Sequence, residues 1–267
     1  MSLSVIIIAR NEAPRIGACL QSARFADEIV LVDSGSTDDT VAIARQYADR
    51  VVESEWLGYG PTKQLALEHA TGDWVLWLDA DERVPQDLRD EITAVTANAA
   101  VAAEGDLAGY RIARKTLFLG HWIRHCGWYP DYVLRLFRRG ADPRFTDDEV
   151  HEALRIRGPV GDLKHPMIHD TDPTLHHYLD KFNSFTSLGA RQLYRSGRRF
   201  RLTDLVFRPI FTLFKMYVLR RGFLDGLPGL ILCGLSACYV FTKYAKLWHL
   251  HLRGSADAES GAGGRSS

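Results

Sequence analysis

Three carboxylates stand close together in the stretch Trp77-Leu78-Asp79-Ala80-Asp81-Glu82. They directly follow the most hydrophobic strand pattern of the chain, where acidic residues are out of place. Side chains two residues apart in an extended segment point the same way, so Asp79 and Asp81 are expected to converge on one site. Carboxylate oxygens hold Mg²⁺ or Mn²⁺, and phosphate oxygens complete the shell. The stretch therefore indicates a metal-bound diphosphate, with an acidic turn that caps the helix after Pro85 as the alternative.

Polar residues also follow two other predicted strands. The first strand ends in Ala9-Arg10-Asn11-Glu12, and the second ends in Asp33-Ser34-Gly35-Ser36-Thr37-Asp38-Asp39-Thr40. Helix capping explains Ser36 to Asp39 but not Asp33, which is suited to accept hydrogen bonds from a base or a ribose hydroxyl. Because ligands of open α/β sheets bind outside the carboxyl ends of the strands, three such ends predict one binding site.

The elements that position these residues follow from short β-branched runs that alternate with helical patterns. Each run is apolar on both faces, which is typical of parallel strands covered by helices. The chain is therefore predicted to be an α/β protein with a mostly parallel central sheet and helices on both faces. The predicted strands are Leu3–Ile8, Glu28–Asp33, Arg50–Ser54 and Asp73–Asp79.

Three helices are expected between these strands. The first begins near Pro14 and the third runs from about Thr62 to Gly72. The residues expected to be buried are Ile16, Cys19 and Leu20 in the first helix and Val41, Ala44 and Tyr47 in the second. After Asp81 the pattern predicts a helix at about Leu88–Asn98 and strands around Gly109–Ala113, Tyr132–Arg138 and Val150–Ile156.

Composition narrows the function classes. Among 267 residues, 33 Lys and Arg balance 33 Asp and Glu, which removes the usual electrostatic argument for a nucleic-acid binder. The 46% of hydrophobic residues is ordinary for a globular protein. The four cysteines have no Cys-x-x-Cys spacing, so free thiols in a reducing cytosol are expected, and the N-terminus has no pattern of a signal peptide.

The ordered motifs Val5–Glu12, Asp33–Asp38 and Leu78–Glu82 resemble the nucleotide-sugar half of family 2 glycosyltransferases, which have the Rossmann-like GT-A fold. Later stretches are similar to the lipopolysaccharide core β-1,4-glucosyltransferase subgroup. These stretches are Gly58–Gln64, Val150–Glu152, Gly222–Gly226 and Lys243–Trp248. Nucleotidyl transfer to a sugar phosphate is disfavoured, because Asn11-Glu12-Ala13-Pro14 is not the glycine-rich, basic loop that such enzymes carry after the first strand.

The resemblance implies roles for the loops after the first two strands. It predicts that Ala9, Asn11 and Glu12 bind the nucleotide-sugar and that Asp33 contacts the uridine together with the Asn11 region. The subgroup commonly has Gln-Lys-Asn where this chain has Thr62-Lys63-Gln64. Lys63 is therefore the expected partner for a phosphate or the base, and nothing is assigned to its neighbours.

The resemblance also implies a metal site for Mg²⁺ or Mn²⁺. Asp79 would contact the ribose or the metal, and Asp81 would bind the metal that bridges the diphosphate. His169, in Met167-Ile168-His169-Asp170, is a candidate further ligand of the kind found late in GT-A chains. The alternative for His169 is a structural histidine.

Inverting transfer needs a carboxylate that takes the proton of the acceptor hydroxyl. The cluster Thr146-Asp147-Asp148-Glu149-Val150-His151-Glu152 offers Asp148, Glu149 and Glu152. Glu152 is favoured because it stands in the family-like Val-His-Glu, and Asp148 is second. A solvated acidic loop is the alternative.

The C-terminal third suggests contact with a membrane. Five arginines lie between Arg191 and Arg201, and Leu205–Arg221 mixes apolar and basic residues, as a helix in an anionic interface does. The sixteen uncharged residues Leu227–Thr242 are short for a spanning helix, which needs about 20. Peripheral attachment is therefore predicted, and helices that merely cover the sheet are the alternative.

These inferences combine into one hypothesis with three segments. Residues 1–175 are predicted to be a GT-A catalytic domain, with a nucleotide-sugar half at 1–82 and an acceptor half at 83–175. Residues 176–253 are predicted to be a helical, membrane-contacting extension, and residues 254–267 a disordered tail.

The predicted activity is that of a metal-dependent, inverting hexosyltransferase. It would use a UDP-glucose-like donor and a lipid-linked glycan such as the lipopolysaccharide inner core, on the cytoplasmic side of a bacterial inner membrane. A polyprenyl-linked acceptor and a degenerate glycan-binding scaffold are the alternatives.

Overall fold

The computed structural model describes residues 1–98, 107–146 and 154–262. The chain forms two compact units. The sheet unit comprises Met1–Thr116 and Tyr129–Thr171, and the helical unit comprises Leu117–Trp128 and the described chain from Asp172 onward.

The first half of the sheet unit is a parallel sheet with helical crossovers. Strand β1 lies between β2 and β4, and β3 pairs with the other side of β2. All four strands predicted in this half agree with the structure to within one residue at each end. The elements are β1 (Leu3–Ala9), α1 (Ala13–Ala23), β2 (Glu28–Asp33), α2 (Thr40–Ala44), β3 (Arg50–Glu53), α3 (Tyr59–Glu68) and β4 (Trp74–Asp79).

The parallel sheet is buried on both faces because side chains alternate along each strand. In β1, Val5 and Ile7 belong to the core beneath α1 and α2, whereas Ile6 and Ile8 belong to the core beneath α3. Apolar residues at every position of a strand therefore require a helical layer on each side. The predicted α/β class with helices on both faces is confirmed.

The predicted helices differ from the observed ones mainly at their ends. Helix α1 buries Ile16, Cys19 and Leu20 as expected. Helix α2 stops at Ala44, so Tyr47 lies beyond it and is only partly buried. Helix α3 begins at Tyr59 rather than Thr62 and ends at Glu68, before Gly72.

The second half of the sheet unit adds antiparallel strands to the parallel ones. Strand β8 pairs with β4 and then with β6, and β12 pairs with β5. The elements, in chain order, are β5 (Glu82–Arg83), α4 (Gln86–Asn98), β6 (Gly109–Phe118), β7 (His121–Trp122), β8 (Tyr132–Arg138), β9 (Arg144–Phe145), β10 (Leu154–Arg155), β11 (Val160–Asp162) and β12 (Met167–Asp172). Of these, β7 and the last two residues of β6 belong to the helical unit.

Two of the three strands predicted in this half are found where expected. Strand β8 has the predicted bounds, and β6 starts at Gly109 but continues to Phe118. Of the strand predicted at Val150–Ile156, residues 150–153 lie outside those described, and Leu154–Arg155 pairs with β9.

The helical unit is built on α7, which packs against both α5 and α6. Thr174 caps α5, its side chain accepting a hydrogen bond from the His177 amide at 3.2 Å. Helix α7 continues to Ala262, so the first part of the predicted tail is helical, and residues 263–267 lie outside those described. The elements are α5 (Leu175–Arg195), α6 (Leu202–Phe214), a π-helical turn (Lys215–Leu219), a 3₁₀ turn (Gly222–Asp225) and α7 (Gly226–Ala262).

Candidate functional site

The strand register brings the ends of three parallel strands together. Ala9 pairs with Asp33, and Ile8 pairs with Asp79, so β1, β2 and β4 end side by side. All three residues belong to the sheet unit, at the carboxyl edge where open α/β sheets bind ligands. The edge predicted from the sequence is therefore formed.

Asp79 lies between two buried cations. The Arg135 Nη2 atom is 2.6 Å from Asp79 Oδ2, and the Lys63 Nζ atom is 3.3 Å from Asp79 Oδ1. The Lys63 and Arg135 side chains are each only 1% exposed, whereas that of Asp79 is 29% exposed. Burial by itself would raise the pKa of Asp79, but the charges of Arg135 and Lys63 outweigh it and hold that pKa well below its usual range. Asp79 is thus a fixed carboxylate with one side open to solvent.

Arg135 is the residue at this site that the sequence reasoning missed. It lies in the middle of β8, and its Nη2 atom also donates a hydrogen bond to Glu82 Oε1 at 2.6 Å. Its guanidinium carbon is 3.8 Å from the centre of a Trp77 ring, a stacking and cation–π contact. An arginine flanked by apolar residues in a strand was the available signal, because such a charge needs a buried carboxylate partner.

Lys63 is positioned by α3 and by an aromatic surface. Its Nζ atom lies 3.9 Å from the centre of the Trp77 ring and 5.9 Å from that of Tyr59. The predicted site lysine is therefore at the carboxyl edge, and its contact there is with Asp79.

Glu82 holds the turn that carries the acidic cluster. It is fully buried, and its Oε2 atom accepts a hydrogen bond from the Asp79 amide at 2.9 Å. Burial raises the pKa of Glu82, and the neighbouring charge of Asp79 raises it further. Because Glu82 contacts Arg135 and the Asp79 backbone, it orients the other groups and is closed to a ligand.

Asp81 and His169 come together through the pairing of β5 with β12. Glu82 is the register partner of His169, and the Asp170 amide donates a hydrogen bond to the Asp81 carbonyl at 2.9 Å. The His169 Nε2 atom lies 3.5 Å from Asp81 Oδ2, and both side chains are 14% exposed. His169 thus lies within β12, beside the acidic turn.

This pair fits a divalent cation. A carboxylate oxygen and an imidazole nitrogen face each other, and such ions commonly take only one or two protein ligands and complete their shell with phosphates and water. Asp79 fits less well, because its oxygens already face Arg135 and Lys63. Among the described residues, no group of three or more His, Cys, Asp or Glu side chains is arranged to hold a metal ion.

The loops after β1 and β2 are joined by hydrogen bonds. Asn11 has a positive φ of 54°, and its Oδ1 atom accepts a hydrogen bond from the Thr37 amide at 2.8 Å. The amides of Gly35 and Ser36 donate to Asp33 Oδ2 at 3.0 and 2.8 Å. The Asp33 side chain therefore closes its own turn, and Asn11 ties that turn to the β1 loop.

Glu12 also contributes to the β1 loop. Its amide donates a hydrogen bond to Thr40 Oγ1 at 2.8 Å, and its carboxylate accepts one from Arg15 Nε at 2.8 Å. Ala9 is buried at the end of β1, and its carbonyl accepts a hydrogen bond from the Ser34 amide at 2.9 Å. These contacts give the two loops one fixed shape.

The candidate catalytic bases lie elsewhere in the chain. Asp148 and Glu152 fall within residues 147–153, which are outside the described part of the structure. The described residues thus form the part of the predicted site at the carboxyl ends of β1, β2 and β4.

Comparison with known proteins gives consistent matches. A sequence model of "Glycosyl transferase family 2" matches residues 4–145. The lipopolysaccharide core biosynthesis glycosyltransferase LpsC of Rhizobium meliloti is 33% identical over 262 residues, which cover 94% of this chain and 93% of that protein. The uncharacterized glycosyltransferase RT0209 of Rickettsia typhi is 28% identical over 94% of this chain and 88% of its own length.

A solved structure with related geometry is the mannosyltransferase PcManGT of Pyrobaculum calidifontis, in complex with GDP-Man and Mn²⁺. Its sequence identity is 19%, its TM-score is 0.49, and the alignment covers 92% of this chain and 86% of that one.

Proposed function

Because this chain belongs to glycosyl transferase family 2, we propose that it transfers a hexose, with inversion, from a UDP-linked sugar to a lipid-linked glycan of the lipopolysaccharide core. The observation that carries the proposal is the meeting of Asp79, Asp81 and His169 at the edge where β1, β2 and β4 end. Such an edge combines oxygen and nitrogen ligands with fixed charges, as binding of a nucleoside diphosphate requires.

In this proposal Asp81 and His169 hold Mg²⁺ or Mn²⁺. The bound cation would neutralise the charge that develops on the departing diphosphate. Their contact at 3.5 Å and their small exposure support this assignment. The pair is also held by the backbone of β5 and β12, so little reorganisation is needed.

Asp79 is proposed to accept a hydrogen bond from the donor ribose. Lys63 and Arg135 keep its carboxylate ionised and fix its direction. Asn11 and Asp33, with Ala9 and Glu12, are proposed to form the wall that receives the uracil, because their mutual hydrogen bonds give the two loops one shape.

The acceptor side of the proposal rests on the relative LpsC and on the chemistry that inversion needs. LpsC acts in lipopolysaccharide core biosynthesis by name, and it aligns with nearly the whole of this chain. We assign the proton-accepting role to Glu152, with Asp148 as the second candidate. A lipid-linked acceptor and a nucleotide-sugar donor would meet at the cytoplasmic face of the inner membrane.

A donor screen tests this function directly. Purified protein is incubated with UDP-, GDP- and TDP-linked hexoses and a core oligosaccharide acceptor, with Mn²⁺, with Mg²⁺ or with EDTA. Nucleoside diphosphate release should require one UDP-sugar and a divalent cation. Asp81→Asn should abolish this release, whereas Asp90→Asn, the same change at an exposed carboxylate on α4, should not. Release by neither cation with any donor would refute the proposed function.

A further inference from the structure

The helical unit exposes a continuous row of large apolar side chains along α6 and the turns that follow it. We call this row the apolar ridge. On α6 it includes Phe207, Ile210 and Phe211, which are 65%, 60% and 59% exposed. Beyond α6 it includes Leu219 and Leu224 in the turns and Leu227 at the start of α7, which are 58%, 55% and 67% exposed. Folded monomers rarely leave such a surface uncovered, so it indicates an interaction site.

The ridge occupies one face of an amphipathic helix. Phe207, Ile210 and Phe214 recur at the spacing of a helical face, and all three are exposed. Asp204 and Arg208 lie one turn apart at the border of this face, where the Arg208 Nε atom donates to Asp204 Oδ1 at 2.7 Å. These two charged side chains of α6 are therefore paired with each other.

Basic residues along the ridge indicate what covers it. Arg201 precedes α6, and Lys215, Arg220 and Arg221 follow its last turn, all of them exposed. Cations beside an exposed apolar face fit an anionic bilayer, because its interior is apolar and its headgroups are negatively charged. A second copy of this chain would bring the same basic residues to the contact, and they would repel each other. Anionic lipid headgroups, in contrast, attract these basic residues.

Helix α7 is the candidate for a membrane-spanning segment. Within the described residues, the segment Gly222–Leu252 is the helix that is long and apolar enough to do so, with a mean hydropathy of 1.6. Its uncharged part, Gly226–Thr242, would rise about 26 Å, which is less than the hydrocarbon core of about 30 Å. A span would therefore have to include charged residues such as Lys243, which follows this stretch.

The packing of α7 against α5 argues against a span more strongly. The Lys246 ammonium lies within hydrogen-bonding distance of four oxygens of α5: the Asn183 carbonyl at 3.0 Å, and Asn183 Oδ1, Thr186 Oγ1 and Ser187 Oγ, each at 2.8 Å. Tyr239 also donates to the Phe185 carbonyl at 3.2 Å. The part of α7 from Tyr239 onward thus lies along a polar helix.

Helix α5 cannot accompany α7 into hydrocarbon. Its outer surface carries exposed Asp180, Arg191 and Arg195, and a charged side chain at the centre of a bilayer is strongly unfavourable. Helix α5 also reaches the earlier part of α7, where Tyr178 forms a hydrogen bond with the Ser236 side chain. The part of α7 before Ser236 is too short to cross a bilayer.

We infer that the apolar ridge lies in the plane of one leaflet of an anionic bilayer, as a monotopic anchor, and that α7 does not cross the membrane. This inference deepens the proposed function, because it assigns how the enzyme reaches a lipid-linked acceptor from the cytoplasmic side. It leaves both ends of the chain on the side where the nucleotide-sugar is.

The first test is the topology of the full chain in bacterial membranes. Fusions of green fluorescent protein or alkaline phosphatase to the C-terminus should give fluorescence without phosphatase activity. Active phosphatase would place the C-terminus across the membrane and overturn the inference.

The second test is flotation of the purified full-length protein with vesicles of phosphatidylethanolamine and phosphatidylglycerol. The double variant Phe207→Glu/Phe211→Glu should bind vesicles at least about tenfold more weakly, because two apolar side chains no longer enter the lipid. Leu179→Glu is the matched control, since Leu179 is 44% exposed on α5, off the ridge, and it should float like the wild type.

The outcomes separate the inference from the proposed function. Equal flotation of the ridge variant and the wild type would overturn the inference. The inference would also be overturned if the wild type were a dimer that does not bind vesicles and if the double variant were a monomer. Nucleoside diphosphate release in the absence of lipid reports the proposed activity independently. A ridge variant that keeps this release is folded, so its loss of flotation supports the inference.

Discussion

The two units of this protein break the ordinary rule of burial in opposite directions. The sheet unit buries charges: Lys63, Glu82 and Arg135 have almost no exposed surface. The helical unit exposes apolar side chains such as Phe207 and Leu227. Buried charges and large exposed apolar surfaces are the informative exceptions to simple burial. Each exception marks the surface on which that unit is proposed to work.

The largest expected effect concerns the buried cation of the sheet unit. Arg135→Met leaves Asp79 and Glu82 without their shared partner and should lower the free energy of unfolding by about 3–5 kcal/mol. Arg111→Met is the matched control, because Arg111 pairs with Asp162 at 2.7 Å but both side chains are largely exposed. It should leave the free energy of unfolding nearly unchanged, because solvent screens an exposed ion pair. Urea unfolding followed by tryptophan fluorescence measures both, and equal losses would remove the contrast between buried and exposed pairs.

The second prediction concerns the proposed metal pair. His169→Ala removes the imidazole that faces Asp81, so the Mn²⁺ concentration for half-maximal nucleoside diphosphate release should rise about 10- to 100-fold. His165→Ala is the control, because His165 pairs with Glu91 at 2.9 Å and has a side chain 45% exposed. An unchanged Mn²⁺ requirement in the His169 variant would show that this histidine is structural.

The third prediction concerns acid stability. An unfolded aspartate binds a proton near pH 4, at a pKa of about 3.9, whereas the lowered pKa keeps Asp79 ionised in the folded chain. The unfolded state therefore binds more protons, and stability should fall as the pH drops below about 4. Asp79→Asn should make this slope shallower, and the exposed Asp90→Asn should leave it nearly unchanged. Unfolding free energies measured between neutral and acidic pH test this, and identical slopes would contradict it.

The smallest expected effect on stability lies in the helical unit, and it tests a helix cap instead of a buried charge. Thr174→Ala removes the cap of α5 and should cost about 1 kcal/mol. Thr203→Ala, at an exposed position in the first turn of α6, should change stability by less than about 0.5 kcal/mol. Helical circular dichroism during urea unfolding compares the two, and a larger loss for Thr203 would refute the capping role.

The sequence was a good guide where the signal is local. The strand ends at Asp33 and Asp79 were predicted to the residue, because an apolar run that stops at a carboxylate is visible without knowledge of the fold. The burial of Ile16, Cys19 and Leu20 followed from helical spacing alone. The predicted helix ends were less accurate, since α3 begins and ends earlier than expected and α7 extends to Ala262.

Contacts between residues far apart in the sequence could not be predicted from local patterns. No spacing rule links Arg135 to Asp79, because their contact depends on which strand pairs with β4. The pairing of Asp79 with Lys63 and Arg135 also depends on tertiary packing. Both cations lie against the Trp77 ring, and this contact places them beside the end of β4, where Asp79 lies.

The amino-acid sequence by itself determined the α/β alternation, the acidic turn after β4 and the amphipathic character of α6, because hydrophobic periodicity and turn residues act over a few positions. Tertiary structure decided which charges meet: β8 brings Arg135 to Asp79 and Glu82, and β12 brings His169 to Asp81. It also decided that the polar helix α5 lies along the second half of α7. The physical reason is that a buried charge and a long helix acquire their roles from their neighbours, and strand order and helix packing set those neighbours.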